Sequence, residues 1–242
     1  MTESSRELLL LGIGDAPGRS DTLIAYLAEA GYLVRSGTLR DLPQGRPLGI
    51  VLDISPFADD GWGILLELKK NSSTRDIPVL PLYLSEEGKV GGIFPVAGFF
   101  ILPMETEYLL KKLAVLGMTD DTEMWDLQTL IVSRKGEESV AKAMVAAGFD
   151  VVNAYTGKEA VALASIGPFY SAYSSLMLPD MSAFELMEKF SHHPRTRTLP
   201  FFVLLKDELK EGEKKAISRE IAHLVRKKEL TKEEFLQALR RR

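Results

Sequence analysis

The loop GIGDAPG at 12–18 spaces its glycines as Gly-x-Gly-x-x-x-Gly, between an apolar run and a helical pattern. Backbone N–H groups in such a loop could cradle a phosphate. The last glycine comes one residue late for a dinucleotide fingerprint, Pro17 removes a donor, and no Lys-Ser/Thr follows as in a P-loop. A turn that merely joins strand to helix is therefore expected. A carboxylate, Asp53, closes the apolar run GIVLD, while Ser175 precedes LMLPDMSAFELM at a strand end where a carboxylate would make chemical sense. His192 and His193 lie in a polar loop and His223 in an apolar run, which suits solvent contact and satisfied burial. With no cysteine, disulfides, thiolate chemistry and Cys-built metal sites are excluded. No paired base and nucleophile stands out, so an enzyme is not expected.

Asp53 and Ser175 occupy equivalent places in an internal repeat. NSSTRDIPVLPLYL at 71–84 and HHPRTRTLPFFVLL at 192–205 share a Thr-x-x-apolar-Pro-apolar core, and Pro78 pairs with Pro200 at an offset of 122. The same offset pairs Gly61 with Ala183, Trp62 with Phe184 and Asp53 with Ser175. Upstream, LAEAGYLV at 27–34 matches MVAAGFDV at 144–151 at an offset of 117, so the second copy carries five extra residues. They fall near TGKEAVALASIG at 156–167, a helical pattern. The first copy has only SGTLRDLPQGRP there, broken by Pro and Gly.

These positions must be held by alternating strands and helices. In the first copy strands are expected near 8–13, 32–35, 48–53, 78–83 and 98–102, with helices near 20–30, 61–70 and 104–116 and a weak one near 86–95. In the second, strands are expected near 128–133, 149–153, 171–176, 200–204 and 221–225, with helices near 137–147, 157–165, 182–191, 208–218 and 231–241. This alternation predicts two flavodoxin-like, doubly wound α/β sheets of five parallel strands in order 2-1-3-4-5, with ligand sites at the carboxyl ends of strands 1 and 3. The expected domains are 1–117 and 127–242, joined by an acidic linker at 118–126.

Composition agrees with a globular chain: 242 residues, 45% hydrophobic and 26% charged. A net charge of −4 argues against a nucleic-acid binder. The N-terminal apolar run is too short for a signal peptide and no stretch approaches a membrane span, so a cytoplasmic protein is expected.

LMLPDMSAFELM and RPLGIVLDISPFADDGWGILLELKKNSSTRDIPVLPL resemble the segments around the phosphorylated aspartate of two-component receiver domains, the response-regulator family. The resemblance spans nearly all of both copies. It implies phosphoryl transfer from a histidine kinase to an aspartate closing the third strand. Two acids after the first strand join that aspartate in holding Mg2+, and a Ser/Thr and a Lys after the fourth and fifth strands take the phosphoryl oxygens. On this resemblance Asp53 is the phosphoacceptor position of the first copy and Asp15 with Asp53 a weak Mg2+ site. Gly14 replaces the second acid, Tyr83 the Ser/Thr and Leu102 the Lys. In the second copy Ser175 replaces the phosphoacceptor, Ser133 and Arg134 the acids, and Leu205 the Ser/Thr, while Arg226 or Lys227 keeps a cation at the fifth strand. Arg134 is expected in the old metal pocket as a fixed internal cation.

The implied protein is a tandem of degenerate receivers: a signalling adaptor that binds other proteins, a histidine kinase among the candidates, with a homodimer open and no cofactor beyond Mg2+ at the first copy. The other reading the residues leave open is a response regulator in which Asp53 still accepts a phosphoryl group. A small-molecule ligand at either pocket mouth is a third, and the mixed-charge C-terminus and apolar EEGKVGGIFPVAGFF at 86–100 are candidate docking segments.

Overall fold

An apolar run without polar interruption makes a strand buried on both faces, and Leu8–Leu11 is the first of these. The computed structural model describes residues 6–14, 16–44, 46–115, 128–225 and 229–240. The chain forms two compact units, one of Met1–Pro95 with Leu209–Arg242 and one of Val96–Glu208.

Unit 1 contains β1 (Glu7–Leu11), α1 (Asp21–Glu29), β2 (Leu33–Ser36), a 3-10 helix (Leu39–Gln44), β3 (Gly49–Asp53), α2 (Gly61–Lys70), β4 (Val79–Leu84) and β5 (Val90–Ile93). Its sheet order is β2-β1-β3-β4-β5, with β5 antiparallel to β4 and the others parallel. Unit 2 contains β6 (Gly98–Leu102), α3 (Thr106–Val115), β7 (Gln128–Val132), α4 (Ser139–Ala146), β8 (Asp150–Ala154), α5 (Gly157–Ile166), β9 (Ser171–Ser175), α6 (Ala183–Ser191) and β10 (Phe201–Lys206). All its strands are parallel, in order β6-β10-β9-β7-β8. The chain then returns to unit 1 with α7 (Glu211–Val225) and α8 (Lys232–Arg240).

Two five-stranded α/β sheets are thus present as expected, but the domain boundaries differ. The strand expected to complete the first sheet, β6, pairs instead with β10, from Phe202↔Gly98 to Lys206↔Leu102. The cause is local: β5 takes the free edge of β4 through a hairpin of a few residues, a loop that closes at low entropic cost. The edge of β10 is then completed by β6. The first copy therefore lends its last strand and helix to unit 2, and the C-terminal helices complete unit 1. The linker expected at 118–126 lies outside the described residues.

Two elements change type. The weak helix expected near 86–95 is the β4–β5 hairpin, since Gly91 and Gly92 are poor helix formers. A Cβ on Gly92 would sit 2.6 Å from Val225 Cγ1, so glycine there lets α7 lie close on β5. The strand expected at 221–225 is instead the end of α7. Ile217 and Ile221 bury four residues apart, and no Gly or Pro follows Gly212 to stop the helix. A short apolar run such as IAHLV fits either state by pattern alone.

In unit 1, α1 and α8 cover one sheet face. Tyr26 meets Phe235 with ring centroids 5.6 Å apart, and Leu23, Leu27, Val51, Leu82 and Phe235 share one core. On the other face the Trp62 Nε1–H of α2 donates to Ser218 Oγ of α7 at 3.3 Å, and Lys214 of α7 pairs with Asp60 at 2.7 Å. In unit 2, α3 and α4 cover a core of Phe100, Leu109, Met144, Tyr173 and Phe202, in which Tyr173 stacks on Phe202 at 4.7 Å. Among the described residues no helix is long and apolar enough to cross a membrane.

Candidate functional site

In unit 1 the carboxylate of Asp53 ends β3 with no exposure to solvent. A buried carboxylate is costly unless paired and hydrogen-bonded, and here both oxygens are committed. Oδ1 accepts from the backbone N–H of Ser55 at 2.9 Å and of Leu84 at 3.3 Å. Oδ2 lies 2.6 Å from Arg19 Nη2 and accepts from the Ser55 hydroxyl at 3.1 Å.

Arg19, 4% exposed, enters from the turn before α1. Its guanidinium also donates to the carbonyls of Ile13, Leu84 (3.2 Å) and Ser85 (3.1 Å) and to Ser55 Oγ (2.9 Å). One side chain thus ties together the loops that follow β1, β3 and β4. Gly88, at φ +81°, belongs to this arrangement, because a Cβ there would run into the Arg19 carbonyl. The Ser55 hydroxyl in turn accepts from the Phe57 N–H at 3.3 Å. Burial pushes the Asp53 carboxyl up from 3.8, against the pull of Arg19 and of the Ser55 and Leu84 N–H groups.

The residues do not fit a divalent cation. Mg2+ requires free carboxylate oxygens in an octahedral shell, whereas a guanidinium already holds Oδ2 and two N–H groups hold Oδ1. Asp15, the expected second ligand, lies outside the described residues. Among the described residues no group of three or more His, Cys, Asp or Glu could hold a metal.

The remaining expected positions scatter. Gly14 makes a turn at φ +75°. Tyr83 turns away from Asp53, its ring packing where a Cβ on Gly91 would be 3.0 Å from Cδ1. The Leu84 N–H meets Asp53 instead, and the Ser85 carbonyl meets Arg19. Leu102 is not part of this site at all, since it ends β6 in unit 2 beside Lys206.

In unit 2, Ser175 ends β9 and its hydroxyl donates to Glu137 Oε2 at 3.3 Å. Ser133 and Leu205 are buried as expected of plain strand ends. Arg134 is not an internal cation: it is exposed, and its Nε donates to the Met177 carbonyl at 3.2 Å. Five extra residues and a full helix, α5, let Asp180 cap that helix instead, accepting from the N–H groups of Gly157 (2.8 Å) and Lys158 (3.0 Å). The loop after β9 is pinned to α5 in this way. Arg226 and Lys227 lie outside the described residues.

The sequence reading missed Arg19 and Ser55. Ser55, two residues after Asp53, has the spacing of a side-chain turn and was legible. Arg19 is a lone cation in GDAPGRSD; only the requirement that a buried acid find a cation points to it.

No family model matches this sequence, and no curated protein does. Solved structures match at low similarity. The receiver domain of a sensor histidine kinase from Pseudomonas aeruginosa, described with a magnesium ion in its active-site cleft, is 17% identical, with 40% of this chain and 98% of that one covered and a TM-score of 0.31. A protein from Chloroflexus aurantiacus described as a response regulator is 17% identical over 42% of this chain and 99% of its own, at 0.30. NtrX from Brucella abortus matches at 14% over 90% of this chain and 66% of its own, at 0.29. The α/β fold class rests on the sheets themselves, each of five strands with helices between them.

Proposed function

We propose that the protein is a non-enzymatic signalling adaptor of two receiver-like units, working by protein–protein binding without phosphorylation of either unit. The observation that carries this reading is the Asp53–Arg19 pair. A phosphoacceptor carboxylate needs an oxygen free to attack and a metal to neutralise the incoming charge. Both Asp53 oxygens are already engaged, and the Arg19 guanidinium at Oδ2 supplies a fixed cation in place of a free approach. Unit 2 has a serine at the equivalent place, and a serine is no substitute for the carboxylate. With the loops of both units pinned by side chains of this chain, binding surfaces are presented constantly. The acidic net charge supports protein rather than nucleic-acid partners, and the internal repeat supports a scaffold role.

The reading is tested with a chemical phosphodonor. Full-length protein incubated with acetyl phosphate and Mg2+ is expected to keep its intact mass, while a conventional receiver in the same tube gains a phosphoryl group. A gain that disappears in Asp53→Ala would establish the response-regulator reading in its place.

A further inference from the structure

We infer that unit 1 carries a docking site for an acidic amphipathic helix of a partner protein, on the sheet face over β1 and β2, where unit 2 keeps its own helix α5. The inference rests on the adaptor reading and names the chemistry of the partner.

The two units differ most at this place. In unit 2, α5 lies on β7 and β8 and buries Ala160 and Ala164. In unit 1 the matching strands are β1 and β2, but the chain between β2 and β3 forms only a short 3-10 helix, Leu39–Gln44. Leu9 and Leu11, further along the same face, are still fully covered. The row nearest the strand starts is not. Leu33 pairs in register with Glu7, and the Leu48 N–H donates to the Glu7 carbonyl at 2.9 Å, so the three stand side by side across β2, β1 and the start of β3. Leu33 is 65% and Leu48 50% exposed, two of the few large apolar side chains left open among the described residues. Alternation along β2 puts Arg35 on the same face, where its Nε meets Glu7 Oε1 at 2.7 Å.

The two leucines flank Glu7 on this sheet face, and apolar side chains grouped on one face mark a binding surface more often than scattered ones do. The charge around this one selects the occupant. Arg35 already neutralises Glu7, and Asp41, whose carboxylate accepts from the Thr38 hydroxyl at 3.0 Å, is the single acid of the segment between β2 and β3. Arg40 and Arg46 then give the replaced-helix segment a positive balance, in a chain whose total charge is −4. A helix with small apolar residues on one side, as α5 has, and carboxylates on the other satisfies both the leucines and the arginines.

The probe is a synthetic helical peptide of about four turns, alanine and leucine on one face and glutamate on the other, with a second peptide bearing lysine for glutamate. Amide resonances of the 15N-labelled full chain are followed during titration. The glutamate peptide is expected to shift Glu7, Leu33, Arg35 and Leu48, to bind about tenfold more weakly to Leu33→Ser/Leu48→Ser, and to outbind the lysine peptide. Both leucines are exposed, so the double variant should melt at the wild-type temperature. Shifts elsewhere, or a leucine-dependent homodimer in the unliganded protein, would overturn the assignment. The titration is repeated with Mg2+ and beryllofluoride. Binding only in their presence would sink the phosphorylation-free reading while leaving the surface in place. No binding in either condition would remove the surface alone.

Discussion

Arg19→Ala is expected to lower the stability of unit 1 by about 3–5 kcal/mol, because it leaves the fully buried Asp53 without its cation. The loss should depend on pH. Asp53 already titrates above 3.8 because it is buried, and removing Arg19 withdraws the largest pull in the other direction. A carboxyl whose folded-state pKa is raised penalises the folded state above that pKa, where the charge must be buried. Below the unfolded pKa the carboxyl is protonated in both states and the penalty vanishes. The variant should therefore approach wild type near pH 4 and fall away as pH rises. Asp53→Leu combined with Arg19→Met, which removes both charges and keeps volume, should recover most of the loss. Denaturant titrations of the three proteins between pH 4 and 8 measure this. A uniform loss at every pH would mean that Arg19 acts through its carbonyl contacts and not through Asp53.

The second large effect concerns the exchange of elements between the copies. Phe235 is the C-terminal aromatic yet belongs to the core of unit 1, and Phe100 lies in the first copy yet belongs to the core of unit 2. Both are essentially fully buried. Each Phe→Ala substitution should cost about 3–5 kcal/mol. Hydrogen exchange should place the damage of Phe235→Ala in β1, β3 and β4, and that of Phe100→Ala in β7, β9 and β10. Division at 117 predicts the reverse. Damage from Phe235→Ala confined to β7–β10 would overturn the exchanged architecture.

Much of this was legible in the sequence, and the failures have causes. The repeat at an offset of 122 located both sheets, because apolar strands and Pro-bounded turns are local signals. Which sheet a strand joins is not local. GFFIL reads as a buried strand in either unit, and with the VGGI hairpin on the β4 edge it pairs with β10. IAHLV failed for the same reason, since its pattern fits a strand edge or a helix face. At the site, Asp53 and Ser175 were found because each ends its strand in register with the other. Arg19 was not legible, because the resemblance implies acids after β1, whereas the residue that matters is a cation in the turn just before α1. The idea of an internal cation was sound in chemistry but misplaced at Arg134, which is exposed.

Beryllofluoride binding addresses the central claim most directly, because it mimics an aspartyl phosphate without requiring a kinase. The 15N-labelled full chain is titrated with Mg2+ and beryllofluoride, with Asp53→Ala as control, and the amides of Ser55, Phe57, Leu84 and Ser85 are watched. With Asp53 closed by Arg19, these resonances should stay in place at millimolar Mg2+, in wild type and control alike. Shifts at these four residues that vanish in Asp53→Ala would mean that the pair opens to admit metal and phosphate, and would contradict the account.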